Sequence, residues 1–145
     1  MHKSFYASGF LYHPATQQIL LQQSSSLETL PKWSLFGGTS IVEETAEESF
    51  QRIILECLNL KIPIGKIMPI YTYFNEQMKK DYFIFFAQVK SLKKFSHLNG
   101  SAPSWFTKAQ IQKLALGPQE KHDLTVAGRV IDAINRKDLG QHTLQ

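Results

Sequence analysis

Between Trp33 and Leu60 the chain reads WSLFGGTSIVEETAEESFQRIILECLNL, and no other stretch limits the fold so tightly. Trp33 to Phe36 is short and apolar, the pattern of a strand, and Gly37-Gly38 end it in a turn. A helix is predicted from about Thr45 to about Leu58. At roughly 100° per residue, Ala46, Phe50, Ile53, Ile54, Cys57 and Leu60 fall on one face. Glu44, Glu48, Arg52 and Glu56 follow one another at four-residue spacing on the other side. Asn59 can stop the helix, because Asn tolerates the left-handed conformation of a C-cap. An apolar arc of this width needs a sheet or a second helix to cover it.

The remaining segments supply the sheet. Ser4 to Tyr12 reads as a strand, His13 to Thr16 as a Pro-containing turn, and Ile19 to Leu21 as an antiparallel return. Ser24 through Pro31 reads as a polar loop. Ile62 to Phe74 is strand material broken by Pro63 and Pro69, which predicts an edge position or bulges. It pairs as a hairpin with Tyr82 to Val89, the strongest strand pattern in the chain, across a polar connection from Asn75 to Asp81. Lys90 to Ser104 reads as a basic, irregular loop. Trp105-Phe106 precedes a short helix with Thr107 and Gln110 at capping-box spacing. Pro118 opens the last helix, Leu124, Ala127, Val130, Ile131 and Ile134 form its packing face, and Gly140 with the polar tail ends it. Together these segments predict an α+β fold, a mixed sheet flanked by helices, in one domain spanning residues 1–145.

Charge and composition narrow the function classes. A net charge of +4 suits an anionic ligand, but the lysines are scattered and form no nucleic-acid stripe, and no DNA-binding segment is attached. The lone Cys57 excludes an intrachain disulfide and fits a reducing compartment. No apolar run reaches membrane-spanning length and no signal peptide is evident. The expectation is a cytoplasmic protein with no membrane partner.

The central stretch resembles the Nudix box, G-x5-E-x7-R-E-U-x-E-E-x-G-U with U aliphatic, and the order of elements around it is similar to the whole Nudix hydrolase domain, an α/β/α sandwich. Gly38, Glu44, Arg52, Ile54, Glu56 and Leu60 fall in register. The lead-in from Pro31 to Gly38 is similar to the family's W-x-x-P-G-G, with Phe36 in place of Pro. Ile53 and Cys57 stand where the pattern has glutamates, and Asn59 stands where it has Gly. The box is therefore degenerate.

The resemblance implies water attack on a diphosphate assisted by Mg2+ or Mn2+, which neutralise phosphate oxygens and acidify a bound water. It implies that Glu56 and the Gly38 carbonyl hold metal and that Glu56 is catalytic. It implies that Glu44 and Arg52 brace the loop against the helix, and that Gly37 and Trp33 lie against substrate. Isoleucine cannot ligate an ion and a thiolate is poorly matched to Mg2+, so Ile53 and Cys57 read as core packing. For Glu56 the plain alternative is a solvated glutamate paired with Arg52. Glu47 and Glu48 could hold a displaced metal, or simply complement the helix dipole. Glu120 and Asp123 could reach in, and His97 and His122 are candidate bases. Phe5, Tyr6, Tyr12, Trp33 and Tyr73 could supply a stacking wall. Two functions stand side by side: a hydrolase of nucleoside diphosphate-linked substrates with an incomplete metal site, or a non-catalytic module that binds a nucleotide, a diphosphate ligand or a partner protein. A homodimer is compatible with either.

Overall fold

The sheet is laid down around its first strand. In the computed structural model, which describes residues 3–26, 29–95 and 103–143, strand β1 (Tyr6–His13) is buried along nearly its whole length. Its neighbours are β2 (Gln18–Ser26), β4 (Phe36–Thr39) and β6 (Lys80–Gln88); the first two pair with it antiparallel and the last parallel. β3 (Thr29–Ser34) and β7 (Pro103–Phe106) both pair with β2, and β5 (Ile67–Asn75) forms an antiparallel hairpin with β6. The main path runs β3-β2-β1-β6-β5. Gly9 makes the parallel pairing possible. A Cβ there would lie 2.1 Å from the Phe85 carbonyl oxygen, so any side chain would push β1 off β6.

Period-two alternation sorts the strand residues onto two faces. Ala7, Leu11, Phe85 and Ala87 meet Phe50, Ile53, Ile54 and Leu58 of helix α1 (Ala46–Leu58). Phe10, Tyr12, Ile84 and Phe86 meet Leu124, Ala127 and Ile131 of helix α3 (Pro118–Thr143). One sheet between two helical layers is the sandwich expected from the sequence, and the apolar arcs read for both helices are the arcs that pack. Helix α1 is closed at both ends. The Thr45 hydroxyl accepts from the Glu48 N–H while the Glu48 carboxylate accepts from the Thr45 N–H, and Asn59 sits at φ 54°, ψ 38° with its N–H on the Leu55 carbonyl. The short helix α2 (Lys108–Ile111) has the capping box read between Thr107 and Gln110. Pro69 lies at a bulge in β5, an edge strand.

Four expectations are corrected. Ser24 through Pro31 is largely paired strand, because β2 runs on to Ser26 and β3 begins at Thr29. Backbone pairing to β3 carries Ser24 and Ser26 into the strand. The strand read from Trp33 to Phe36 breaks at Leu35, and Gly37-Gly38 lie inside β4, opposite Ser8 and Ala7, rather than in a turn. Pro103 and Ser104 are strand, paired to Gln22 and Leu21. Helix α3 continues past Gly140 to Thr143. Among the described residues no helix is long and apolar enough to cross a membrane.

Candidate functional site

The box residues assemble around one arginine. Arg52 donates from Nε to Glu44 Oε2 at 2.8 Å and from Nη2 to Glu44 Oε1 at 3.2 Å. Nη2 also reaches the Thr39 carbonyl at 2.9 Å, and Nη1 reaches Glu56 Oε1 at 3.1 Å. Glu44 Oε1 further accepts from the Ser49 hydroxyl at 2.7 Å and the Ile41 N–H at 3.0 Å. The end of β4, the loop before α1 and the exposed side of α1 are thus tied at one guanidinium. Arg52 is the main reason the Glu44 carboxyl is held down, to about 2. A planar fork with this many donors suits bidentate pairing, which a lysine could not reproduce.

The positions where a metal would sit have a different chemistry. Ile53 is 2% exposed, and its Cγ1 and Cδ1 would both lie 3.3 Å from a Cβ placed on Gly38. Apolar carbon therefore covers Gly38 from the helix side. Cys57 is half-buried and its thiol is pushed up, by burial first and by the neighbouring Glu56 second, away from the thiolate form that binds metal. The Glu56 side chain is 60% exposed and engaged by Arg52. Glu48 is spent on the helix cap. Among the described residues no three His, Cys, Asp or Glu side chains converge on a point. Hard cations need several oxygen ligands, so the described residues at the box do not fit Mg2+ or Mn2+.

A cleft of about 470 Å3 opens on the other face of the sheet, where Tyr6 and Ser8 share the side of β1 that faces α3. Tyr6, Tyr73 and Tyr82 line it with Ser8, Gln119, Glu120 and Asp123. Strand register builds the tyrosine row: Tyr6 is paired with Tyr82, and Tyr82 with Tyr73. The Tyr6 and Tyr82 rings stack at 4.4 Å, and Tyr73 lies 5.4 Å from Tyr82. Gly37 is the floor under Tyr6, since a Cβ there would meet the phenol ring at 2.6–2.9 Å. Asp123, 4% exposed, accepts from the Tyr71 hydroxyl at 2.5 Å and from Gln119 Nε2 at 2.9 Å. Burial pushes its carboxyl up, against the pull of those two hydrogen bonds. Burial also raises Tyr6, Tyr71, Tyr73 and Tyr82, so all four phenols stay protonated and able to donate at neutral pH. No Lys, Arg or His is among the lining residues.

Of the residues read from sequence, Gly38, Glu44, Arg52 and Glu56 come together at the box, and Tyr6, Tyr73, Glu120 and Asp123 come together in the cleft. Trp33 does not join them. Its ring packs edge-on against Phe106 at 4.7 Å and its backbone N–H donates to the Ala115 carbonyl. Tyr12 is buried under α3, and Phe5 packs on Phe83. His122 lies against Tyr71, and His97 is outside the described residues. Tyr71, Tyr82 and Gln119 were not singled out from sequence. Tyr71 meets Asp123 across 52 residues, which no local pattern signals.

No family model and no curated protein matches the chain. Solved structures do. The NUDIX domain of Shewanella oneidensis NrtR, determined with ADP ribose, is 19% identical with a TM-score of 0.67 over 88% of this chain and 86% of that one. A MutT from work on the Aliivibrio salmonicida and Vibrio cholerae proteins is 12% identical, with a TM-score of 0.68 over 88% and 99%. A NUDIX-family hydrolase from Clostridium perfringens is 17% identical, with a TM-score of 0.63 over 88% and 96%. The chain has the Nudix fold.

Proposed function

We propose that this protein binds the nucleoside end of a nucleotide, or of a related diphosphate compound, in the tyrosine cleft, and does not hydrolyse it through a metal at the box. One observation carries the second half of the claim. Ile53 is core, packed over Gly38, in the place where the family resemblance would put a carboxylate beside the Gly38 carbonyl. Removing charged oxygen ligands from a Mg2+ site removes most of its attraction for the ion.

The first half rests on the cleft. Its volume lies in the range of small-ligand sites, and its walls combine aromatic surface with a few converging polar groups. Gln119 and the carboxylates of Glu120 and Asp123 can accept from the amino and imino groups of a base, and protonated phenols can donate to its ring nitrogens and carbonyls. Two carboxylates and no cation among the lining residues leave the phosphates to point out of the cleft. The solved NrtR domain holds ADP ribose in a protein of the same fold, which supports a ligand of this class. In this account Glu44 and Arg52 hold the loop and α1 in place, and Glu56 is a solvated partner of Arg52.

The competing hydrolase reading draws on one observation, that Glu120 and Asp123 both line the cleft and could hold an ion there, across the sheet from Ile53 and Cys57. A single experiment separates the two. The protein is titrated with ADP-ribose and with adenosine by calorimetry in EDTA, then incubated with ADP-ribose and nucleoside triphosphates in Mg2+ or Mn2+ while products are followed by chromatography. Binding that survives EDTA, without product, is the expected result. Turnover that vanishes with chelator would return the protein to the hydrolases, and absence of binding to either compound would remove the ligand assignment.

A further inference from the structure

Gly128 lies inside helix α3, where glycine is among the poorest helix formers. A glycine kept there ordinarily permits close approach of another element. Here a Cβ would meet nothing within 4 Å. What the missing side chain leaves is space. Gly128 lines a groove of about 480 Å3 between α2 and α3, and also a smaller cavity of about 90 Å3 that reaches Tyr12 and Ile19. The two share Lys108, Ile111, Leu124, Gly128 and Asp132, so they form one depression with its narrow end beside the sheet.

The lining is amphiphilic. Ile111, Leu116 and Leu124 give it an apolar wall continuous with the core under α3. Lys108, Lys121 and Arg129 stand around it, exposed, and among the described residues none of the three is in an ion pair. Asp132 is the one acid in the lining. The charge is opposite to that of the tyrosine cleft, which has two carboxylates and no cation. Apolar surface beneath a ring of unpaired cations favours a ligand that buries a hydrophobic body and leaves an anionic head at the rim.

We propose that the α2–α3 groove is a second binding site, separate from the cleft, for a small amphiphilic anion. Its apolar or aromatic body fills the gap over Gly128, and its carboxylate, sulfonate or phosphate head lies among Lys108, Lys121 and Arg129. The assignment does not depend on what the cleft binds.

The test is a fluorescence titration of the full chain with 1-anilinonaphthalene-8-sulfonate, an anionic dye that reports apolar surface, alongside two variants. Gly128→Leu fills the gap and improves helix propensity, so it is expected to fold; Lys121→Glu with Arg129→Glu reverses the rim without touching the core. One saturable dye site, weakened about tenfold or more by each variant, with amide shifts confined to α2 and α3, is the expected result. Val42→Ser, which removes a distant apolar side chain that is 68% exposed, should leave the titration unchanged. Should Gly128→Leu unfold, the charge reversal alone decides. Dye affinity untouched by the charge reversal, or shifts mapping elsewhere, would overturn the proposal. So would a dimer that dissociates on charge reversal, since it would give the groove to a second copy of the chain.

Discussion

Replacing Glu44 by Gln tests whether the Arg52 junction holds α1 to the sheet. The carboxylate accepts four hydrogen bonds, two from Arg52 and one each from Ser49 and the Ile41 N–H. Its carboxyl is lowered from an ordinary 4.5 to about 2, with Arg52 the largest cause. That difference corresponds to at most roughly 3 kcal/mol of linked stability. The pair is part-buried, with the Glu44 side chain 13% and the Arg52 side chain 25% exposed, and partial solvent screening brings the expected contribution to about 1–2 kcal/mol. The native state holds off the proton longer than the unfolded chain does. The stabilisation is therefore complete above about pH 5 and is lost as pH falls through 4.5 toward 2. Urea denaturation of both proteins, at steps from pH 7 to pH 2.5, reads this directly. Glu44→Gln should be less stable by about 1–2 kcal/mol at pH 7, and the gap should narrow steadily below pH 5. A gap that stays constant with pH would reduce the junction to neutral hydrogen bonds. No gap at pH 7 would refute the argument.

Asn59→Ala should cost about 1 kcal/mol of unfolding free energy in urea denaturation, because a Cβ-bearing residue without a polar side chain is forced to φ 54°, whereas Asn59→Gly should be close to neutral. Asp123→Asn keeps an oxygen for the Tyr71 hydroxyl and removes a desolvated charge. Its stability at pH 7 should equal or exceed that of the parent, and the difference should shrink as pH falls through the raised folded value and close below the unfolded value near 3.8, where the parent aspartate is protonated in both states. If Asp123 reads donors on a base, the same variant weakens adenosine binding in calorimetry by roughly tenfold. Ile53→Ala should destabilise by about 2–4 kcal/mol in urea, the cost of a cavity in a closed core. A cost below about 1 kcal/mol would mean that the site over Gly38 is open rather than packed.

Local chemistry made α1 legible in the sequence. Thr45 and Asn59 bound it, its apolar arc is wide, and Arg52 and Glu56 follow the i,i+4 spacing that places them in contact, while Glu44 reaches Arg52 from the loop before the cap. The sheet was legible where apolar and aromatic residues run together, as in β1 and in Tyr82 to Ala87 of β6. It was not legible from Gln22 to Ser26 of β2, where polar residues pair with β3 through their backbones and give no hydrophobic period. Gly37-Gly38 read as a turn because glycine permits turns; their place in β4 comes from Tyr6 and Ile53 packing over them, which only tertiary structure sets. The cleft was half visible. Tyr6, Tyr73, Glu120 and Asp123 are separate candidates in the sequence, and strand register and the return of α3 bring them together. Tyr71 and Gln119 had no signal of their own. Trp33 drew attention through its position before the box, yet its ring is used in packing on Phe106.

Manganese binding tests the central claim most directly. Mn2+ is titrated into the chelator-treated protein and into Glu56→Gln, and the free ion is counted by electron paramagnetic resonance. A box in which Ile53 covers Gly38 and Glu56 answers to Arg52 should show no saturable site below about 1 mM, with the two proteins indistinguishable. One Mn2+ per chain at micromolar concentration, lost in Glu56→Gln, would contradict the account.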